Sequence, residues 1–174
     1  MLRIIASLLL MISLSSCTSV QVSDYKNEKP VLKLEEYLNG NLMAHGFFQD
    51  RAGLIVKRFV VDLKGTWKDN VGVLEEDFVY SDGTKSRRVW TIEKKPDGSY
   101  KGTASDVVGE AKGEIAGNAL RWKYVLALDV DGTTYNVNFD DWMYLMDDKV
   151  MINKSKMYKF GIYLGEVTLS FYKK

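Results

Sequence analysis

Cys17 has the clearest chemistry in this 174-residue chain, of which it is the single cysteine. It follows Leu14-Ser15-Ser16, and a branched apolar residue, two small residues and a cysteine form the pattern of a lipobox. The small residues suit the cleft of a signal peptidase, and the thiol can be alkylated by a diacylglycerol group before cleavage. We therefore expect Cys17 to carry acyl chains such as palmitate that anchor the protein in a membrane. The alternative is a plain secretion signal in which the cysteine has no role.

The segment before the cysteine has the composition of an export signal. Arg3 supplies a positive charge, and Ile4 to Leu14 form an apolar stretch shorter than the roughly 20 residues of a membrane-spanning helix. We expect residues 1–16 to be a signal peptide and residues 17–30 to be the lipidated cysteine and a polar tether. Thr18 stands where an aspartate would favour retention in the inner membrane of enteric bacteria. The prediction is therefore an outer-membrane lipoprotein that faces the periplasm.

A charged pair flanks the predicted turn at Asp82-Gly83. Glu76 shares a strand face with Phe78, and Arg88 shares one with aromatic and aliphatic residues after the turn. If those faces coincide, Glu76 and Arg88 lie close together inside the fold, where a buried charge must be paired or hydrogen-bonded. A two-residue loop would instead pair Phe78 with Arg87. A cross-strand ion pair on the outer surface is the other alternative.

Other residues that could do chemistry give weaker signals. His45 is the single histidine and no Gly-x-Ser-x-Gly sequence occurs, so we expect no catalytic residue, metal site or cofactor. Asp140 and Asp141 are neighbours on a strand and would point to opposite faces, which makes them a poor metal pair. We expect them to be solvated acids at a strand end or bulge. Lys154 to Phe160 is predicted to be an amphipathic strand, with contact to anionic lipid headgroups as the alternative.

The overall composition limits the class of protein. Lys and Arg number 24 against 23 Asp and Glu, a formal net charge of +1. This balance excludes the strongly basic surface of a typical nucleic-acid-binding protein, so we expect no nucleic acid as a partner. One cysteine excludes a disulfide framework, and 46% hydrophobic residues place the chain among folded proteins.

Short strands with a period of two must position these residues. After one or two helical turns expected within Leu32 to Leu38, turn residues recur about every ten positions. This spacing predicts an all-β domain over residues 31–174, an antiparallel up-and-down meander that closes into a lipocalin-like barrel. A two-sheet β-sandwich is the alternative. The predicted strands are 41–50, 54–66, 71–80, 84–94, 98–104, 107–115, 119–130, 133–140, 142–152 and 155–172. A break of the last strand at Gly161 is the alternative to one continuous strand.

The strand predicted at 107–115 suggests a cavity inside the barrel. Its inward positions include Gly109, Ala111 and Gly113, and such small residues leave volume that a ligand could fill. The alternative is that a bulky neighbour such as Trp90 or Trp122 occupies the gap. If the cavity exists, Arg88 would meet an acidic headgroup, with Glu76 beside it, and aromatic residues would line the wall, namely Phe78, Trp90, Trp122 and Tyr124.

Several segments besides the lipobox carry a resemblance to a known family. They are Glu76 to Gly83 with Arg88-Val89-Trp90, Asp106 to Ala111, Gly117 to Tyr124, Phe139 to Leu145, and Lys159-Phe160-Gly161 with Gly165 to Leu169. Together they resemble a family of small proteobacterial lipoproteins that is classed as a domain of unknown function. The resemblance implies no established activity. Members of that family are often encoded near enzymes that modify membrane fatty acids, which implies a lipid-related role.

Three functions are compatible with these features. The leading hypothesis is a non-enzymatic, membrane-anchored lipoprotein whose barrel holds or hands over an apolar ligand such as a fatty acid or phospholipid. The second is an anchored interaction module with a packed interior that docks an envelope enzyme, a protein partner that the sequence does not identify. The third is a lipid-modifying hydrolase or isomerase.

Overall fold

The computed structural model describes residues 19–130 and 132–174. In those residues ten antiparallel strands follow one another around a closed barrel. The predicted all-β up-and-down barrel is therefore confirmed, and the sandwich alternative is wrong. The predicted signal peptide and Cys17 lie outside the described residues. The strands are β1 (Gly40–Asp50), β2 (Ile55–Lys68), β3 (Val71–Tyr80), β4 (Lys85–Lys94), β5 (Tyr100–Thr103), β6 (Ala111–Ala116), β7 (Ala119–Val130), β8 (Thr133–Leu145), β9 (Val150–Lys159) and β10 (Ile162–Lys173).

The barrel closes because its first strand pairs with both its second and its last strand. Leu42 of β1 lies opposite Leu63 of β2 on one side and Lys173 of β10 on the other. Alternate side chains of each strand point into the barrel, so that Val61 and Leu63 are buried while Asp62 between them is exposed. Closure leaves neither terminal strand with an unpaired edge, which removes a common route to aggregation.

The predicted N-terminal helix is present and closes one end of the barrel. Helix α1 (Leu34–Tyr37) is short, and Leu34 and Leu38 are buried beneath it at 2% and 5% exposure. The Tyr37 hydroxyl donates to the carbonyl oxygen of Phe171 at 3.2 Å, which ties the helix to the end of β10. Gly65 of β2 passes so close that a Cβ there would lie 1.5 Å from the Leu38 carbonyl oxygen. The helix is thus fixed against the strand ends.

The part of the predicted tether that the structure describes lies against the barrel wall. A 3-10 helix, Val22–Tyr25, contacts β6 and β7 from outside. The Tyr25 ring packs 5.9 Å from that of Trp142 and 5.4 Å from that of Tyr144, measured between centroids. A Cβ on Gly117 would lie 1.8 Å from the Tyr25 carbonyl oxygen, so only glycine fits there. In the described residues no helix is long and apolar enough to cross a membrane.

Two predicted strand boundaries near the C-terminus are wrong. β8 runs unbroken from Thr133 to Leu145, through the point at Asp141 where a break was predicted. The turn instead follows Leu145, where the Asp147 carboxylate accepts bonds from the backbone amides of Lys149 and Val150 at 2.8 and 2.7 Å. The break considered at Gly161 is real and separates β9 from β10. The second wrong boundary is the break predicted between residues 152 and 155, because β9 runs unbroken from Val150 to Lys159. This strand is amphipathic as predicted, with Ser155 and Met157 buried and Lys154 and Lys156 exposed.

Candidate functional site

A cavity of about 620 Å³ occupies the barrel between helix α1 and the opposite end. Its wall is mostly apolar, with a small number of polar groups at mid-height. The structure brings together six of the nine residues predicted to bind a ligand, and these six line the cavity: Glu76, Phe78, Arg88, Trp90, Trp122 and Tyr124. A preformed apolar cavity of this size is within the range of ligand sites in proteins.

The other three predicted residues do not face the cavity. Gly109 is exposed in the loop before β6 and has a φ of +73°, a conformation of turns rather than strands. Ala111 and Gly113 do lie on the inner face, but a Cβ on Gly113 would meet the Trp122 ring at 2.3 Å. The prediction that these small residues border open volume is therefore wrong. Trp122 fills the space, as the alternative held, and Gly102 of β5 makes room for the same ring.

The cavity is also lined by inward-facing residues of β7, β8 and β9 that the sequence analysis did not name as site residues. Four buried side chains of β7, β8 and β9 form a second apolar cluster there, and each of them lines the cavity. The alternation of apolar and polar residues along these strands places all four side chains inside the barrel, so the sequence contained the signal that could have identified them. They are Leu126, Val137, Phe139 and Met157.

A three-residue turn determines the pairing of the charged residues. The Tyr80 amide donates to the Thr84 carbonyl oxygen at 2.9 Å, and Gly83 has a φ of +82°. In this register Glu76 lies opposite Arg88, and both point into the barrel. The internal pair, which the sequence analysis made conditional on the two faces coinciding, is therefore present. The two-residue loop and the surface ion pair are wrong.

Arg88 is the central cation of the cavity wall. Its guanidinium donates to Asp106 at 2.9 Å from Nε and 2.7 Å from Nη2, and Nη1 lies 3.8 Å from a Glu76 carboxylate oxygen. Its Cζ lies 5.7 Å from the Phe78 ring centroid and 6.0 Å from that of Trp90. Asp106 was not predicted, because it lies in the loop between β5 and β6, whose path a strand pattern does not describe.

A second polar group faces the first from β7, β8 and β9. The Tyr124 hydroxyl donates to Asp141 Oδ2 at 2.9 Å, and Asp141 lies opposite Ser155 across the strands. Asp140 points outwards and accepts bonds from Arg121 at 2.8 and 2.7 Å. The prediction that the two aspartates face opposite ways is confirmed. The prediction of solvated acids at a strand end is wrong, because Asp141 is 5% exposed in mid-strand.

Burial dominates the protonation of the two interior carboxyls. It raises the pKa of Glu76 to about 7, against the opposing effect of Arg88. It also raises the pKa of Asp141 to about 7, against the hydrogen bond from Tyr124. Burial likewise disfavours the charge on Arg88, but Glu76 and Asp106 outweigh it and raise the pKa of that guanidinium.

These shifts predict that the protein is more stable at pH 5 than at pH 8. Each carboxyl binds its proton more tightly when folded, so the free energy of unfolding falls as the pH rises from the ordinary pKa towards and through about 7. At about 1.4 kcal/mol per pKa unit, we expect a loss of roughly 2 kcal/mol or more, measured by urea denaturation. Glu76→Gln should reduce this pH dependence, whereas Glu75→Gln on the outer face should leave it unchanged. Equal stability at both pH values would contradict the assignment.

The remaining chemistry-bearing residue, His45, is away from this site. It is exposed on the outer face of β1, opposite Ser170 of β10. Among the described residues no group of three or more histidines, cysteines or acids is arranged to hold a metal ion.

Residues 11–173 match the family described as "Protein of unknown function (DUF3833)". The chain belongs to this family. The match spans all ten strands of the DUF3833 barrel, so a single family accounts for the whole domain. No curated protein matches the chain. The expectation of a family classed as a domain of unknown function is confirmed, and a lipocalin-like arrangement fits the closed barrel.

Proposed function

We propose that this protein binds an apolar molecule with an acyl chain, such as a fatty acid or phospholipid, inside its barrel and holds it or hands it over at the cell envelope. The observation that carries the proposal is the cavity of about 620 Å³, with its apolar wall. The alternative of a docking module expects a packed interior, and a cavity of this size favours ligand binding over it. Burial of apolar surface supplies the free energy of such binding.

The end of the barrel opposite α1 offers the ligand a route. Lys57, Tyr80 and Lys159 line the cavity there, at the strand ends remote from the helix. The hairpin tips of the same end expose apolar side chains, with Leu54 at 66% and Phe160 at 89% exposure. The two tips are neighbours, because β2 and β10 both pair with β1, and contiguous exposed apolar groups mark surfaces that contact a membrane or another protein.

We expect Phe160→Asn to stabilise the barrel and to slow lipid transfer. Phe160 has a φ of +51° and precedes Gly161 at +77°, a turn conformation that asparagine adopts readily and that strains a bulky residue. Relief of this strain should add about 1 kcal/mol in urea denaturation. Loss of the exposed ring should slow transfer of a fluorescent acyl chain from vesicles to the protein. Val71→Asn, at the end closed by α1, is the control, and equal transfer rates for both variants would contradict a role for the tip.

The proposed location is the outer membrane, facing the periplasm, through a lipid anchor on Cys17. Its support is the lipobox, and an anchor would keep the barrel beside the membrane that holds its ligand. We expect Cys17→Ala to abolish incorporation of a palmitate analogue in growing cells and to release the protein from the outer-membrane fraction. Ser16→Ala keeps a small residue before the cysteine and should label normally. Labelled Cys17→Ala protein would contradict the proposal.

The direct test of the binding function is lipid mass spectrometry on full-length protein extracted gently from its own membrane. We expect one class of acyl-chain molecule at close to one copy per protein. Only lipids in the proportions of the surrounding membrane, also recovered with an unrelated lipoprotein, would overturn the proposal.

A second candidate, the lipid-modifying hydrolase or isomerase, is favoured by one observation. Glu76 and Asp141 lie in an apolar cavity with pKa values of about 7, and general acid–base catalysis uses groups with pKa values near the working pH. Incubation of the protein with the lipid recovered by mass spectrometry separates the two functions. A changed mass or double-bond position, lost in Asp141→Asn, would replace the carrier by an enzyme.

A further inference from the structure

Two buried polar atoms in the cavity wall have no hydrogen-bond partner among residues 19–130 and 132–174. They are Asp141 Oδ1 and Ser155 Oγ. Asp141 and Ser155 are directly opposed on β8 and β9, are 5% and 3% exposed, and both line the cavity. Because their free atoms do not bond each other, a group placed between them could satisfy both. A buried polar atom left unpaired costs about 1–3 kcal/mol, so a ligand that satisfies these two gains affinity.

The charges around this pair decide which headgroup suits it. Arg88 is the cation of the cavity wall at mid-height, and Asp106 and Glu76 already pair with it. Asp141, 5% exposed, is the second carboxyl of the cavity lining besides Glu76, since Asp106 pairs with Arg88 from the loop between β5 and β6. The lysines of the lining, Lys57 and Lys159, lie at the barrel end remote from α1. An anionic headgroup beside Asp141 and Ser155 would therefore meet the carboxyls of Asp141 and Glu76 and a cation that is already paired. The predicted role of Arg88 in meeting an acidic headgroup does not suit a guanidinium that is paired in this way.

We propose that Asp141 and Ser155 form a subsite for a neutral hydroxyl group of the ligand. The hydroxyl donates its proton to Asp141 Oδ1 and accepts the hydrogen of Ser155 Oγ, while the acyl or alkyl chain fills the apolar part of the cavity. The ligand class is then a long-chain lipid with a free hydroxyl near its polar end, rather than a fatty-acid anion. This assignment rests on the proposed binding function.

The test compares three C12 ligands that differ only in the headgroup. Trp90 and Trp122 line the cavity, so a brominated chain bound inside quenches their fluorescence. The probes are 12-bromododecanol, its methyl ether and 12-bromododecanoate, added at pH 8 to full-length protein in phospholipid nanodiscs, with empty nanodiscs as the blank. We expect the alcohol to reach half-saturation at a concentration at least tenfold lower than either of the others.

A matched pair of variants links the preference to the subsite. Ser155→Ala removes a hydroxyl that bonds nothing else in the described residues, so it should fold normally and reduce the preference below threefold. Ser170→Ala, on the adjacent strand but outside the cavity, should retain it. Equal binding of all three probes, or tightest binding of the carboxylate, would overturn the subsite and leave the apolar cavity as a binding site. No quenching by any probe would overturn the binding function itself.

Discussion

Val137→Trp should reduce the acyl-chain lipid that copurifies with the protein at least tenfold while the barrel remains folded. Val137 is 4% exposed on β8 and lines the cavity together with Leu126 and Met157. An indole at this position has no other direction than the cavity, because the strand alternation points it inwards. Overpacking of a filled core costs about 1–3 kcal/mol, but here there is space to receive the ring.

The control for this prediction is the preceding residue on the same strand. Asn136 is exposed on the outer face, so Asn136→Trp adds the same bulk outside the barrel. Mass spectrometry should find wild-type amounts of lipid in that variant, and circular dichroism should show the same sheet content in both. An undiminished amount of lipid in Val137→Trp would mean that the ligand binds elsewhere, and would contradict a binding site inside the barrel.

The fold follows from regularities that a strand pattern contains. Alternation of apolar and polar residues gave the number of strands, and aspartate–glycine pairs gave the turns at Gly83 and Gly98, both with positive φ. The pattern failed at Asp140-Asp141, because two adjacent acids suggest solvent. In the folded chain each acid has its own partner, Arg121 outside and Tyr124 inside. Partners from another strand are not visible in a local pattern.

The site was predictable in part, for a reason that concerns packing. An inward position is a property of one strand, and this is why Glu76, Arg88 and Trp90 were placed on the cavity wall. Open volume is a property of several strands at once. Gly113 leaves no space because Trp122, on the neighbouring strand, covers it. The cavity is lined by side chains of several strands, among them Phe78 of β3, Val137 of β8 and Leu169 of β10.

Arg88→Met should destabilise the protein by about 3–5 kcal/mol at pH 8, the range observed when one member of a buried ion pair is removed. The substitution keeps an apolar stem but leaves Glu76, 8% exposed, and Asp106 without their cation. The loss should shrink at pH 5, because burial already raises the pKa of Glu76 to about 7 and the protonated acid needs no counter-charge. Urea denaturation at both pH values measures the difference.

Two further variants separate charge pairing from simple packing. Arg88→Met combined with Glu76→Gln removes a buried anion as well as the cation, and should recover part of the stability at pH 8. Arg87→Met, one position along on the outer face, breaks exposed pairs with Asp77 and Glu75 that are worth at most about 1 kcal/mol. If Arg88→Met cost no more than Arg87→Met at pH 8, then Arg88 would not neutralise the interior carboxyls. The argument against an anionic headgroup would then fail as well, because it assumes that the charge of Arg88 is already neutralised by Glu76 and Asp106.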